Sequence, residues 1–367
     1  MDPMALRVNK AVQRLAPYVT PAQDPWRSVH RRDICKLDWN EGKGVSARVR
    51  RLAQQLIQDD ATFNWYPDCE AIDLTRVIAR HVGVPESYVL TFPGSDVGLE
   101  TACRTFMEAG DRVLIPVPNY DNFRVYAQSV GCEVVPWQVG RPFRFDIGSV
   151  REAVRQHRAT AIYISNPNNP CGYAVGRPDI IDLCAEFPEV AFVVDEAYID
   201  FCPEHSCAAD VARRDNLIVS RTFSKAFGLA GLRLGFVVSA AGNIRNLQKL
   251  RNGKNISRLA QELGQLLIGS YDEVRNWVAN VAAARDYLTL ELTRRGANVF
   301  PSAANFLLVE MKGAKEVTAG LKRYGVYVRD RSQMIPDCLR ISITDLADGR
   351  RLIEALDRYR SDSSLSA

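Results

Sequence analysis

Short apolar runs alternate with amphipathic stretches through the middle of this chain. The runs are Tyr88-Val-Leu-Thr91, Arg112-Val-Leu-Ile115, Glu133-Val-Val135, Ala161-Ile-Tyr-Ile164, Val190-Ala-Phe-Val-Val194, Leu217-Ile-Val219 and Phe236-Val-Val238. Runs this short suit strands covered on both faces, and helix-length segments separate them. The alternation predicts an α/β domain around a mostly parallel sheet, with functional residues at the carboxyl ends of its strands. After Leu247 the pattern changes. A long helical segment, Val274 to Leu292, precedes strand-like Asn305-Phe-Leu-Leu-Val309, a helix near Glu316 to Tyr324, strands Val326-Tyr-Val328 and Leu339-Arg-Ile-Ser342, and a final helix near Gly349 to Tyr359. This predicts a second, smaller α+β domain. Towards the amino end, Val8, Val12 and Leu15 recur at helical spacing until Pro17, and Tyr18-Val-Thr-Pro21 reads as an extended arm. Val45, Val49, Leu52 and Leu56 mark another helix. The serine-rich tail Ser361-Asp-Ser-Ser-Leu-Ser366 is expected to be disordered.

Composition narrows the function. With 367 residues, 47% of them hydrophobic, the chain can bury cores for two domains. Lys plus Arg number 47 against 43 for Asp plus Glu, a net +4 too weak and dispersed for a nucleic-acid partner. Nine cysteines without a CxxC pair predict free thiols in a reducing compartment. Among the four histidines only His205, near Cys202 and Cys207, approaches metal-ligand spacing, and this is read as chance, so no metal is expected. Met1-Asp-Pro-Met4 leads into an amphipathic segment, and no apolar run reaches membrane-spanning length. A cytoplasmic protein without membrane or nucleic-acid partner is the expectation.

The chemistry concentrates in Ser220-Arg-Thr-Phe-Ser-Lys225-Ala-Phe-Gly-Leu-Ala-Gly-Leu-Arg233-Leu-Gly-Phe236. An apolar run delivers Lys225 to a strand end, in a glycine-flanked turn where desolvation would favour the neutral, nucleophilic amine. Thr222 and Ser224 offer hydroxyls, and Arg233 a permanently charged fork, for a phosphate. An amine beside a phosphate site points to pyridoxal phosphate. Taken singly, a loop lysine is more often a solvated surface charge, and only its neighbours lift this one.

The Ser-x-x-x-Ser-Lys-x-x-x-x-x-Gly-x-Arg pattern resembles the lysine motif of fold-type I pyridoxal phosphate enzymes, the class I/II aminotransferases, and their histidinol-phosphate aminotransferase branch fits best. Gly94-Ser95-Asp96, Asn166-Pro-Asn-Asn169-Pro-Cys-Gly172, Val194-Asp195-Glu-Ala-Tyr198, Asn64-Trp-Tyr66-Pro-Asp68 and Cys338-Leu-Arg340-Ile-Ser342 extend the resemblance over nearly the whole chain. It implies an aspartate aminotransferase-like fold, with an arm (1–42) joining the small domain, a large cofactor-binding domain (43–255) and a small carboxyl-terminal domain (256–367). It implies pyridoxal 5'-phosphate as cofactor, with Ser95, Asp96, Thr222, Ser224 and Arg233 around its phosphate, Asp195 at its pyridinium nitrogen, Asn169 and Tyr198 at its ring oxygen, and Tyr120 stacked on the ring. Tyr66 would come from the other subunit of a homodimer. Arg329, Arg340 and Tyr18 would hold a substrate anion, and two arginines with a phenol suit a phosphate.

The small-molecule reaction that follows is amino transfer on a phosphorylated amine or amino acid, histidinol-phosphate-like, in two half-reactions through Lys225. Decarboxylation of phosphoserine or phosphothreonine on the same residues is the alternative. In the segment Lys36-Leu-Asp-Trp-Asn40-Glu-Gly42, Gly42-Lys-Gly-Val45 replaces the proline-glycine continuation usual in the family, and Arg331 is an added cation without an assigned role.

Overall fold

Val, Ile and Phe run without polar interruption along the central strands, and seven strands pair into one sheet. The computed structural model describes residues 8–18, 33–42 and 44–364. In chain order its strands are β1 (Cys35–Leu37), β2 (Val89–Phe92), β3 (Arg112–Val117), β4 (Glu133–Gln138), β5 (Ala161–Ser165), β6 (Ala191–Asp195), β7 (Leu217–Thr222), β8 (Gly235–Ser239), β9 (Asn298–Val299), β10 (Phe306–Glu310), β11 (Val326–Asp330) and β12 (Cys338–Ser342). The large sheet runs β2-β8-β7-β6-β5-β3-β4. It is parallel from β7 to β4, while β8 pairs antiparallel with both β2 and β7. The fold is therefore mixed α/β with helices on both sheet faces. Alternate residues serve the two faces: Tyr163, Val193, Ile218 and Val237 pack with Leu99 and Phe123, and Ile162, Val194, Val219 and Val238 pack with Val150 and Leu183.

A second sheet runs β1-β11-β12-β10-β9, with β1 parallel to β11 and the remaining pairs antiparallel. The helices Tyr271–Arg294, Ala314–Leu321 and Leu346–Ser364 accompany it. Strand β1 comes from a stretch whose glycine and asparagine read as a turn. Only Cys35, Lys36 and Leu37 extend, too few residues for periodicity to reveal.

Two expectations are corrected. The amino-terminal helix covers only Lys10–Gln13, with Asn9 as its cap, because Val8 and Val12 stay exposed and no apolar face is buried. At the other end the last helix continues through Ser364 instead of ceasing before a disordered tail. Buried Leu352, Ile353 and Leu356 anchor that helix, and the polar residues that follow ride on it. Val19 to Pro21 of the arm and Leu365 onward lie outside the described residues.

Candidate active site

Lysine delivery begins with β7. Its apolar residues stop at Thr222, and the chain turns through Phe223-Ser-Lys225-Ala-Phe227. Phe223 is fully buried, its ring lies 4.6 Å from Phe227, and its backbone N–H donates to Leu234 O at 2.9 Å. Burying such a ring contributes about 1.5–3 kcal/mol, so the turn is clamped on both sides of the lysine. Lys225 Nζ donates to Trp39 O at 2.9 Å and lies 5.6 Å from the centre of the Tyr198 ring.

The replaced loop at Gly42 explains itself here. A Cβ on Gly42 would stand 2.8 Å from Lys225 O and 2.9 Å from Gly228 Cα, both backbone. Only glycine lets this segment lie against the lysine turn.

The phosphate end is built where β2 meets the helix Ser95–Phe106. Gly94 has φ +90°, which strains any L side chain, and a Cβ there would come within 2.5 Å of the Arg233 guanidinium and displace it. Free N–H groups of the helix start face a site carrying Ser224 Oγ, which Thr222 Oγ1 reaches at 2.9 Å and Arg233 Nη1 at 3.4 Å. Asp96 accepts from the Tyr120 hydroxyl at 3.0 Å and stands 3.6 Å from Arg233 Nη2.

On the floor, Asp195 ends β6. Tyr163 OH donates to Asp195 Oδ2 at 2.8 Å and Ala197 N–H to Oδ1 at 3.2 Å. Asp195 is 4% exposed, and burial above all pushes its pKa up to about 7. Two donors hold this carboxylate, but no cation pairs with it among the described residues. Tyr198 OH accepts from Asn169 Nδ2 and from Asn40 Nδ2, each at 3.1 Å. Behind the floor, Glu196 accepts from Arg221 Nε at 2.8 Å and from Cys207 N–H at 2.7 Å, which ties the ends of β6 and β7 together.

The opposite wall comes from the second sheet. Arg340 on β12 is 4% exposed. Its Nη1 donates to Asn169 Oδ1 and its Nη2 to Asp38 O, both at 2.6 Å, while the buried Nε has no partner among the described residues. Arg329 on β11 stands directly opposite Arg340 in the strand register. Burial pulls the pKa of both guanidiniums down.

Lys225, Ser95, Asp96, Tyr120, Asn169, Asp195, Tyr198, Thr222, Ser224, Arg233, Tyr18, Arg329 and Arg340 all line one cavity of about 550 Å³. Tyr66 does not: it is 77% exposed, with Lys254 Nζ 4.7 Å from its ring centre and Phe63 and Trp65 exposed beside it. Sequence reasoning missed four members of this site. Asn40, fully buried at φ +57°, donates its N–H to Ser342 Oγ at 2.8 Å and its amide to Tyr198, joining the two sheets at the cavity. Asp38 and Glu41 line the wall near Lys36, and burial raises the Asp38 pKa despite that lysine. Tyr163 sits in an apolar run and reads as core. An Asn-Glu pair just after a strand was the signal for Asn40 and Glu41, whereas nothing local marks Tyr163.

Residues 32–356 match the family described as aminotransferase class I and II. A dihydroxyacetone phosphate transaminase of Campylobacter jejuni is 33% identical over 345 residues, 92% of this chain and 93% of that protein. A histidinol-phosphate aminotransferase of Symbiobacterium thermophilum is 32% identical over 357 residues, 95% of this chain and 97% of its own. Among solved structures, a histidinol-phosphate aminotransferase from Sinorhizobium meliloti in complex with pyridoxal-5'-phosphate superposes with a TM-score of 0.86 at 26% identity, covering 98% of this chain and 99% of that one.

Proposed function

This chain belongs to the class I and II aminotransferase family, and from that premise we propose that it moves an amino group to or from the middle carbon of a small phosphate monoester lacking a carboxylate. It is a pyridoxal phosphate-dependent enzyme acting on a small molecule. The residues fit that cofactor. Asp195 is a buried carboxylate in need of a cation, which a protonated ring nitrogen provides, and Ser95 N–H, Ser224, Thr222 and Arg233 form an anion cradle at a helix start. When bound, pyridoxal phosphate supplies an aldehyde that reacts with amines and a ring that accepts electrons.

The protein's own groups would act as follows. Asp195 holds the ring nitrogen protonated. Asn169 and Tyr198, already bonded to each other, orient the ring by its oxygen. Lys225 Nζ would be the movable base that takes the proton from the nitrogen-bearing carbon of the substrate, and as the ammonium the acid that gives it back. Arg340, Arg329 and Tyr18 hold the substrate phosphate.

The observation that carries the phosphate reading is the pairing of Arg329 opposite Arg340 with no carboxylate bonded to either guanidinium among the described residues. Like charges face each other there, an arrangement that favours a strong anion between them. The names of the two curated relatives support it: dihydroxyacetone phosphate and histidinol phosphate both carry a CH2–O–phosphate next to the reacting carbon, and neither has a carboxylate. The exposed Phe63, Trp65 and Tyr66 support a homodimer in which Tyr66 completes the partner's phosphate site.

Product analysis tests this reading. Cofactor-loaded enzyme given histidinol phosphate, or the amine of dihydroxyacetone phosphate, is expected to release the oxo-phosphate and leave pyridoxamine phosphate. Turnover of neither amine, with carbon dioxide released from phosphoserine or phosphothreonine instead, would replace amino transfer by decarboxylation.

A further inference from the structure

Arg331 lines the same cavity and has no part in the scheme above. It stands two residues beyond Arg329, and its N–H donates to Cys338 O at 3.0 Å, continuing the ladder of β11 against β12 by one step. Two-residue spacing on a strand puts Arg329 and Arg331 on the same face, with Arg340 opposite Arg329. The groups that act most strongly on Arg331 are Arg340, Arg329, Tyr18 and Tyr198, none of them a carboxylate. Among the described residues its buried Nε has no hydrogen-bond partner, and neither does that of Arg340.

The nearest acid in sequence, Asp330, is turned into its own loop, where it accepts from Ser332 N–H at 2.8 Å and from the Ser332 hydroxyl. Asp38 and Glu41, also on this wall, both pair with Lys36. Burial first, then its two guanidinium neighbours, pull the Arg331 pKa down to about 9. A charge kept there at such cost, with an unused donor, calls for a counter-ion, and no carboxylate among the described residues is bonded to it.

We propose that Arg331 is a specificity residue: with Arg329 and Arg340 it completes a receptor of three guanidiniums that selects the dianion of a phosphate monoester over singly charged anions. The inference rests on the phosphate reading above and deepens it. Two arginines bind a monoanion such as a sulfate ester or carboxylate adequately. The third has an electrostatic reason to be there only when the ligand carries a second negative charge.

The test uses full-length, cofactor-loaded enzyme and non-reacting probes, propyl phosphate and its singly charged counterpart propyl sulfate, with affinities from calorimetry. Wild type is expected to prefer the phosphate at pH 8 by about tenfold or more, and to lose that preference towards pH 5 as the dianion takes up one proton near pH ~6. In Arg331→Met, phosphate affinity should fall about 10–100-fold, the scale of a lost hydrogen bond to a charged group, with sulfate changed only a few-fold and the pH dependence flattened. KM for the amine substrate should rise while kcat stays within a few-fold.

A methionine variant that keeps the phosphate-to-sulfate ratio and the pH profile of wild type would overturn the inference while leaving the phosphate reading intact. Wild type that binds propyl phosphate no better than propyl sulfate at pH 8 would overturn both. Should Arg331→Met fail to retain cofactor, as judged by visible absorbance and melting, Arg331→Gln carries the test. Glutamine keeps a donor without the charge and should lose the ratio as methionine does, and a wild-type ratio with glutamine would contradict the charge argument.

Discussion

At the ends of β6 and β7 the polar groups hold one another. Asp195 rests on Tyr163 and Ala197, Tyr198 on Asn169 and Asn40, and Thr222 on Ser224. Across the cavity, at β11 and β12, three guanidiniums stand together, and the acceptors that Arg340 finds are neutral. The floor is organised before any substrate arrives, as suits a permanent ligand. The wall stays electrostatically unsatisfied, which costs stability in the free protein and makes affinity depend on what enters. Substitutions in the floor should therefore change the chemistry, and those in the wall the choice of substrate.

The largest effect should come from the lysine turn. Lys225→Ala is expected to lower single-turnover conversion of the amine by at least about 10³-fold, the upper range of a lost general base, with melting nearly unchanged because Phe223 and Phe227 still clamp the turn. Comparable turnover would break the assignment of the base.

Asp195→Asn comes next, and it should split function from stability. Removing the charge partner of the ring is worth about 3–5 kcal/mol, or roughly 10²–10⁴-fold in turnover. In cofactor-free protein the sign reverses. The folded pKa of Asp195 is raised from 3.8 to about 7, so folding keeps a proton that the unfolded chain gives up, and this group's contribution is lost as pH rises from about 4 to 7. Cofactor-free Asp195→Asn should accordingly melt higher than wild type at pH 8 and lose that advantage at pH 4. Equal melting curves at both pH values would contradict the buried, unpaired carboxylate.

In the wall, Arg340→Lys loses the fork that bridges Asn169 and Asp38. KM for a phosphorylated amine should rise about 10–100-fold, with a smaller change in kcat. A kcat loss that exceeded the KM change would place Arg340 with the floor instead. The smallest effect is expected outside the cavity. Tyr66→Phe removes at most one hydrogen bond of about 1 kcal/mol, so cofactor affinity should drop about fivefold, read by fluorescence titration, with sedimentation expected to show the proposed dimer for both proteins.

Legibility in the sequence followed the same division. The floor comes from contiguous turns at strand ends, and apolar runs bounded by Gly94-Ser95-Asp96, Asn169, Asp195 and the Lys225 turn are visible one segment at a time. All seven strands of the large sheet coincide with those runs. The wall is assembled across sequence separations of about 300 residues, as where Arg340 meets Asp38, and such pairings leave no local periodicity. Asn40 illustrates the point: a polar residue in a glycine-rich loop reads as a turn, whereas the fold buries it completely between Ser342 and Tyr198. The Gly42 departure was visible but not its reason, because the backbone it approaches is far away in the chain. In the sequence Arg331 reads only as an extra charge, and the fold adds that no described group accepts from its Nε.

The most direct test of the account is the half-reaction of cofactor-loaded enzyme, followed by visible absorbance, with 2-amino-3-hydroxypropyl phosphate against the same amine without its phosphate. The account predicts conversion to the pyridoxamine form at least about 100-fold more efficiently, as kcat/KM, for the phosphorylated amine, since two or more charge-assisted contacts separate the two. Equal efficiency for both amines, or no conversion of either, would contradict it.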